Sequence, residues 1–413
     1  MIIHHLSLTN FRNYARLELD LEPGISLFQG DNAQGKSNLL ESIYYLATSR
    51  SPQTGSDVEL VSWLVRDDPL AFARLVGDIE RDGDTQRIEL TLVPTPNGGR
   101  GAAANFRRSI RINGLPKRAM DLIGLVNVVI FRPQDIELVS DGPAIRRRYL
   151  DAMLCQLQIQ YCRTLQVYNR VLNQRNCLLR QLRERGGGED QLAFWDQRLA
   201  EHGAYITACR REALERLDVL SHPIHLEITE HREQLRLSYQ PSCALPSPPS
   251  IPGSPPSAPD RPSLLTSVPS NAQCGPVLEL TQAFLAGLQR VRREEIARGV
   301  TLVGPHRDDF RFLLADADLT TYGSRGQQRT AALAMKLAET ELVQQVRGYW
   351  PILLLDDVMS ELDGQRRRRL MALVNGASQT LMTTTHIDAY SVSFLNQVNR
   401  YQIREGRLDV LSG

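Results

Sequence analysis

Eight residues near the N-terminus constrain the fold of this chain more than any other segment. They read Gly30-Asp31-Asn32-Ala33-Gln34-Gly35-Lys36-Ser37 and match the pattern G-x-x-x-x-G-K-[ST] at every fixed position. An apolar, β-prone stretch at 25–28 precedes them, and a helix-forming stretch at 37–47 follows. In this strand–loop–helix context, backbone N–H groups and the helix N-terminus can surround a phosphate. The segment therefore predicts a phosphate-binding loop rather than a chance glycine turn.

The lysine of this loop stands out against the composition of the chain. Only Lys36, Lys117 and Lys336 are lysines among 48 basic residues. A compact ammonium fits between the β- and γ-phosphates of ATP, whereas a forked guanidinium has a different shape. Ser37 is expected to ligate Mg²⁺ through its hydroxyl, and Asn38 completes the predicted ATP-binding set with residues 30–37.

A second half of the site is predicted far along the chain, where an apolar run at 351–355 ends in Asp356 and Asp357. A strand that is apolar on both faces is typical of a buried parallel sheet, whose carboxyl edge binds ligands. Asp356 is expected to hold Mg²⁺, and Asp357 to act as the general base toward the attacking water. Because Lys36 lies 320 residues before Asp356, the segment between them must fold away from the site.

Four shorter motifs extend this pattern. Gly323-Ser324-Arg325-Gly326-Gln327 opens a helix and resembles the ABC signature, with Arg325 where a glycine usually stands; a plain N-capped helix is the alternative. In ABC ATPases the signature contacts the γ-phosphate held by the opposite subunit. The segment 360–363 resembles a D-loop. His386 follows a second apolar segment and matches the switch histidine. Gln134 is the candidate for the Q-loop and for a further Mg²⁺ contact.

The chain is predicted to contain three parts: 1–142, the first half of an ATPase head with a β-rich subdomain; 143–300, a helical lobe; and 301–413, the second half of the head. A hairpin is expected from 71–79 and 87–93 around Asp82-Gly83. The apolar stripe from Leu150 to Leu172 predicts one helix. With a break at 186–188 and a second helix from about Asp190, it predicts a helical hairpin rather than a long coiled coil. Residues 241–276 hold 11 of the 22 prolines and predict a disordered insertion, with partner binding as the alternative.

Longer strings resemble the RecF family of ABC-type, SMC-like ATPases: residues 8–14 (LTNFRNY), 32–41 (NAQGKSNLLE), 304–309 (GPHRDD), 323–329 (GSRGQQR) and 354–358 (LLDDV). The resemblance covers nearly the whole chain and fails at 241–276. It implies an α/β fold in which both chain ends form one P-loop ABC-ATPase head, with an inserted helical second lobe. It also implies that Arg12 and Asn13 approach the nucleotide.

The same resemblance implies an ATP-dependent homodimer that binds double-stranded and gapped DNA, works with RecR and RecO to help load RecA, and takes part in SOS induction. Four arginine clusters are candidate DNA-phosphate contacts, although each could be a solvated face: Arg107, Arg108 and Arg111; Arg146–Arg148; Arg290, Arg292 and Arg293; and Arg366–Arg369. Asp357 is shorter than the usual glutamate and predicts slow ATP turnover. A RecF relative that hardly hydrolyses ATP, and an ABC-type ATPase engine acting on a protein partner without DNA, are the alternatives.

Composition bears mainly on location. No apolar run approaches the roughly 20 residues of a membrane span, and no signal-peptide pattern opens the chain. The six cysteines are scattered without metal-ligand spacing, which is typical of reduced thiols. These features predict a cytoplasmic protein with no membrane partner.

Overall fold

The computed structural model describes residues 1–65, 68, 71–95, 106–243, 263–265 and 275–411. Its strands are β1 (Ile2–Phe11), β2 (Tyr14–Asp20), β3 (Gly24–Gln29), β4 (Ala73–Arg81), β5 (Asp84–Pro94), β6 (Phe106–Ile112), β7 (Leu115–Lys117), β8 (Val128–Phe131), β9 (Leu235–Gln240), β10 (Asp309–Leu314), β11 (Ala317–Asp318), β12 (Ile352–Asp356), β13 (Gln379–Thr384), β14 (Asn399–Arg404) and β15 (Arg407–Leu411).

The helices are α1 (Lys36–Thr48), α2 (Ala119–Leu122), α3 (Glu137–Ser140), α4 (Pro143–Leu157), α5 (Ile159–Arg185), α6 (Gln191–Ile228), α7 (Gly275–Arg298), α8 (Leu319–Tyr322), α9 (Arg325–Arg347), α10 (Gly364–Gly376) and α11 (Val392–Leu395). Within the described part of the chain, no helix is both long enough and apolar enough to cross a membrane.

Two compact units make up the chain. The first joins Met1–Asp135 to Glu339–Gly413, and the second is Ile136–Ala338. The predicted boundary at 300 thus differs from the observed one, because residues 301–338 belong to the second unit. The reason is that β10 pairs antiparallel with β9, with Asp309 opposite Gln240 and Leu314 opposite Leu235. Most of the predicted insertion at 241–276 lies outside the described residues.

The first unit contains two six-stranded sheets around one core. The central sheet has the order β15-β14-β3-β13-β12-β8, and its strands from β14 to β8 run parallel. The other sheet, β2-β1-β4-β5-β6-β7, is antiparallel throughout. Helix α1 contributes Leu39, Leu40 and Ile43 to the apolar cluster that includes residues of both sheets. This packing explains why most of α1 is buried.

Local sequence patterns explain several elements of this unit. The predicted hairpin is confirmed, since β4 and β5 pair from Ala73 opposite Leu92 to Arg81 opposite Asp84. Its two turn residues, Asp82 and Gly83, both have positive φ, at 54° and 85°, as the tight turns of hairpins require. Strand β12 is buried at all five positions, as its unbroken apolar run predicted.

The second unit contains the helical hairpin and a small sheet of order β11-β10-β9. Helices α5 and α6 are separated by residues 186–190, where the glycine run was predicted to break the helix. The expectation of a single helix through 150–172 is wrong. Gln158, between α4 and α5, has an extended backbone (φ −146°, ψ 111°) and divides the apolar stripe into two helices.

The string at 304–309, noted above for its resemblance, lies at a buried polar centre of the second unit. Gly304 has φ 135°, and a Cβ there would come within 2.5 Å of Tyr168 Oη. Burial lowers the pKa of His306 to about 4, and its Nδ1 lies 2.7 Å from Tyr168 Oη. Asp308 accepts hydrogen bonds from Tyr239 Oη at 2.6 Å and Ser242 N at 2.7 Å. In this structure the motif therefore organises the fold of the second unit.

Candidate nucleotide-binding site

The predicted site residues of the first unit lie along one edge of the central sheet. Strands β3, β13, β12 and β8 are parallel neighbours, so their carboxyl ends meet at the same edge. The 30–37 loop follows β3, and Asp356 ends β12. His386 follows β13 and Gln134 follows β8. The fold thus places four motifs from distant parts of the sequence at the edge where α/β proteins bind ligands.

The glycine-rich loop has the backbone that its sequence predicts. Ala33 and Gly35 have positive φ, at 64° and 116°, while Asp31, Asn32 and Ala33 are exposed at the tip. Lys36 as a whole is only 6% exposed, and its ammonium donates to the carbonyl oxygens of Gly30 at 2.8 Å and Asp31 at 2.7 Å. Burial lowers the pKa of Lys36, although three nearby aspartates oppose this shift. The loop therefore holds a desolvated cation where phosphate binding requires one.

The β1–β2 turn supports this loop from outside. Asn13 Nδ2 donates to Gln34 O at 2.9 Å, and Asn38 Nδ2 donates to Asn13 Oδ1 at 2.8 Å. Tyr14 Oη donates to Gly35 O at 2.9 Å. Asn13 thus binds the loop and Asn38 binds Asn13, and the predicted contact of these two residues with a nucleotide remains a prediction. Tyr14 was not among the predicted site residues, although it ends the string at 8–14.

Arg12 forms an ion pair with a carboxylate of α1. Its Nε and Nη2 donate to the two oxygens of Glu41, each at 2.8 Å, and Glu41 is completely buried. A forked pair of this kind fixes both side chains in one geometry. The structure therefore assigns Arg12 a contact with α1, and its approach to a nucleotide remains a prediction.

The two halves of the site meet at Ser37 and Asp356. Ser37 Oγ donates to Asp356 Oδ1 at 2.7 Å, and Thr383 Oγ1 donates to the same oxygen at 3.0 Å. Burial raises the pKa of Asp356, and the two hydroxyl groups act in the opposite direction. A hydroxyl beside a carboxylate is an oxygen donor set that suits Mg²⁺, which commonly binds one or two protein oxygens together with phosphates and water. Among the described residues, no cluster of three histidine, cysteine or acidic side chains could hold a metal ion alone.

Asp357 has an unusual backbone for a residue with a side chain. Its φ is 49°, in the left-handed region where aspartate and asparagine are better tolerated than most residues. Its carboxylate accepts a hydrogen bond from Thr385 Oγ1 at 3.2 Å. Exposed side chains at Gln134 and His386 complete the predicted set at this edge. Thr383 and Thr385 were missed as individual contributors because threonine has no distinctive spacing pattern.

The signature segment belongs to the second unit. Ser324 Oγ accepts from Gln327 N at 3.2 Å, and Gln327 Oε1 accepts from Ser324 N at 2.9 Å. These reciprocal bonds form a capping box at the start of α9. Ser324, Arg325 and Gly326 are exposed, and Gln327 Nε2 also donates to Glu233 Oε1 at 2.8 Å. The alternative of a capped helix is thus a correct description of the local structure, and a role on an opposite subunit remains a prediction.

A phosphate loop, a carboxylate at the end of a neighbouring buried strand, and further polar residues along one sheet edge define a P-loop ATPase head of the ABC type. The family model for the RecF/RecN/SMC N terminal domain matches residues 2–404. DNA replication and repair protein RecF from Chloroflexus aurantiacus is 41% identical, with 99% of each chain covered. RecF from Herpetosiphon aurantiacus is 42% identical, covering 98% of this chain and 99% of its own.

A solved structure of the recombination mediator protein RecF with ATP, from the RecFOR pathway, is also similar to this chain. It superposes with a TM-score of 0.82 at 32% identity, over 99% of this chain and 97% of the solved one. The chain belongs to the RecF family of DNA replication and repair proteins.

Proposed function

We propose that this protein binds ATP with Mg²⁺ at the carboxyl edge of the central sheet and hydrolyses it slowly. The observation that carries the proposal is the 2.7 Å contact between Ser37 Oγ and Asp356 Oδ1, which joins the phosphate loop to the carboxylate expected to hold Mg²⁺. Lys36 would contact the β- and γ-phosphates, and Gln134 would approach the metal. Asp357 would orient the attacking water, with His386 near the γ-phosphate. The related RecF structure with ATP supports the choice of nucleotide.

The proposed state with ATP is a homodimer. Ser324, Arg325 and Gly326 are exposed at the start of α9. A hydroxyl beside a helix N-terminus suits an anion held by a second chain. Each nucleotide would then lie between the phosphate loop of one chain and the signature of the other. ATP binding, rather than its hydrolysis, would therefore drive dimerisation.

The proposed ligand of the dimer is duplex DNA, including duplex beside a single-strand gap. Several arginines of the predicted clusters form ion pairs within the protein: Arg108 with Asp57, Arg146 with Asp309, and Arg292 with Asp196. Structural ion pairing makes these three poor candidates for DNA contacts. The exposed arginines of the clusters are Arg107, Arg111, Arg148, Arg290, Arg293 and Arg368.

Helix α5 offers a further surface for the DNA backbone. Over its 27 residues the only acidic side chain is Glu184. Arg163 and Arg170 are two turns apart on its exposed side. The exposed positions around them carry mainly amide side chains, such as Gln166, Asn169, Asn173, Gln174 and Gln181. Arginine and amide groups are common donors to DNA phosphates, so we include this face in the proposed DNA-binding surface.

The experiment is a titration of a fluorescent gapped duplex with the protein, with and without ATP and Mg²⁺, over a range of salt concentrations. We expect binding to require ATP and to be lost in Ser324→Arg, with nucleotide binding by the monomer retained. The variant R163Q/R170Q should lower the slope of log affinity against log salt by about 1 for each lost phosphate contact. R16Q/R232Q removes two other arginines, with side chains exposed by 80% and 74%, and should bind like the wild type.

The outcomes separate the competing functions. ATP binding without DNA binding at any salt concentration would favour an ATPase engine that acts on a protein partner. DNA binding with ATP but no measurable phosphate release, unchanged in Asp357→Asn, would favour a binding module that barely hydrolyses. Cooperation with RecR and RecO in RecA loading and in SOS induction is proposed from family membership, and addition of those proteins to the same gapped duplex tests it.

A further inference from the structure

A single buried hydroxyl touches both acidic residues of the candidate site. Thr383, near the end of β13, is 2% exposed. Its Oγ1 donates to Asp356 Oδ1 at 3.0 Å, and it accepts a hydrogen bond from Asp357 N at 2.9 Å. A more distant acceptor, Leu355 O, lies 3.4 Å away. Because a hydroxyl has one proton and two lone pairs, it can make the donor and the acceptor bond together.

The bond to Asp356 restricts how that carboxylate can turn. Ser37 Oγ, in the first turn of α1, and Thr383 Oγ1, on β13, both donate to Oδ1, at 2.7 and 3.0 Å. Two donors on one oxygen fix the plane of the carboxylate and leave Oδ2 outside both bonds. Groups that hydrogen-bond a metal-holding carboxylate in this way determine its orientation.

The bond to Asp357 holds a backbone that is otherwise uncommon. With φ at 49°, the residue lies in a region that side chains seldom occupy. Three hydroxyls hold it there. Thr383 Oγ1 accepts from its N–H, Ser360 Oγ donates to its carbonyl oxygen at 2.7 Å, and Thr385 Oγ1 donates to its carboxylate at 3.2 Å. The direction of the Asp357 side chain follows from this backbone.

We propose that Thr383 is a positioning residue, whose hydroxyl fixes the Mg²⁺-holding carboxylate of Asp356 and the general base Asp357 relative to each other. It acts through these two residues and does not itself contact the nucleotide. The inference rests on the proposed function, because it takes the roles of Asp356 and Asp357 from there. It adds a buried residue within β13 to the set predicted at this edge of the central sheet.

The strand offers a matched control. Thr380 lies on β13 three residues earlier and is completely buried. Its hydroxyl has no hydrogen-bond partner among the described residues. Thr383→Val and Thr380→Val therefore make the same chemical change on the same strand, but only the first removes bonds to the acidic residues. Thr383→Ser keeps the hydroxyl and removes only a methyl group.

The test compares ATP hydrolysis and Mg²⁺-dependent binding of a fluorescent ATP analogue in the full-length wild type and these three variants. In Thr383→Val we expect kcat to fall about 10–100-fold and the Mg²⁺ concentration for half-maximal binding to rise about tenfold. Binding of the analogue without Mg²⁺ should stay within about threefold of the wild type. Thr383→Ser should restore most of both losses, and Thr380→Val should behave like the wild type.

Several results would overturn the inference. The first is equal kcat values and equal Mg²⁺ midpoints in Thr383→Val and Thr380→Val. The second is a fall in kcat in Thr383→Val that Thr383→Ser does not restore. A wild type that binds Mg²⁺–ATP without hydrolysing it would refute the hydrolytic part of the proposed function, and the Mg²⁺ midpoints would then decide the positioning role. A wild type that binds no ATP would refute both.

Discussion

The buried charge network of the second unit allows a quantitative prediction for Arg175→Met. The guanidinium of Arg175 is completely buried and donates to Asp196 Oδ1 at 2.7 Å, Glu295 Oε2 at 2.6 Å and Thr301 Oγ1 at 2.8 Å. Arg292 donates to the other oxygen of Asp196 at 2.6 Å. The network therefore contains two positive and two negative charges, and removing Arg175 leaves one negative charge without a partner.

The expected cost follows from that imbalance. Breaking a buried ion pair by removing one partner costs about 3–5 kcal/mol, because the remaining charge stays desolvated. The double variant R175M/E295Q restores the balance, since Asp196 keeps Arg292. Its glutamine can still accept the hydrogen bond that Leu302 N donates to Glu295 Oε1 at 2.8 Å. We therefore expect the second substitution to recover at least half of the loss.

Urea unfolding followed by tryptophan fluorescence provides the measurement. Trp195 lies on α6 next to Asp196 and reports on the second unit, so Trp63→Phe and Trp350→Phe would remove the other two tryptophans. With an m-value of about 2 kcal/mol per molar, Arg175→Met should lower the urea midpoint by roughly 1.5–2.5 M. Arg183→Met, an exposed arginine of the same helix, is the control and should shift it little. A loss below about 1 kcal/mol, or no recovery in the double variant, would refute this reasoning.

Three further predictions concern the site. Burial raises the pKa of Asp356 above its usual 3.8, so its charged form destabilises the nucleotide-free fold. Asp356→Asn should therefore raise the thermal midpoint of unfolding at pH 7.5, and it should also weaken Mg²⁺–ATP binding. The difference in thermal midpoint between the variant and the wild type should shrink as the pH falls, since Asp356 of the wild type then becomes protonated. A difference independent of pH would contradict this prediction. Gly35→Ala should reduce ATP affinity at least about tenfold in a fluorescence titration, because alanine is strained at φ 116° and its Cβ would lie 2.5 Å from Asn13 Nδ2; unchanged affinity would argue against this backbone. Ser324→Ala should cost about 1 kcal/mol of helix capping and weaken ATP-dependent dimerisation in light scattering while leaving ATP binding intact, and an unchanged dimer would remove the signature from the proposed interface.

Several features were predictable because their causes are local. The phosphate loop needs glycine-compatible backbone angles between a strand and a helix, and all of these lie within about twenty consecutive residues. The apolar run at 351–355 predicted a buried parallel strand, which is β12, and the turn at Asp82-Gly83 predicted the β4–β5 hairpin. Membership of the RecF family was likewise indicated by short strings, and the comparisons confirm it.

Other features depended on which side chains meet in space. Arginine clusters looked alike in the sequence, yet Arg146 is bound to Asp309, whereas Arg148 is exposed. The break at Gln158 was hidden because the apolar stripe continues across it. The threonines of β13 had no recognisable spacing, and their role appears only beside Asp356 and Asp357.

By itself the sequence determined the ATPase fold family, the glycine-rich loop between β3 and α1 and the acidic strand end, because backbone preferences and burial patterns act between near neighbours. Tertiary structure alone decided that Ser37 meets Asp356 across 319 positions, that Arg12 is engaged by Glu41, and that Thr383 touches both aspartates. The physical reason is that a hydrogen bond or ion pair depends on distances of about 3 Å. Such distances between remote residues are set by how the strands and helices that carry them pack together.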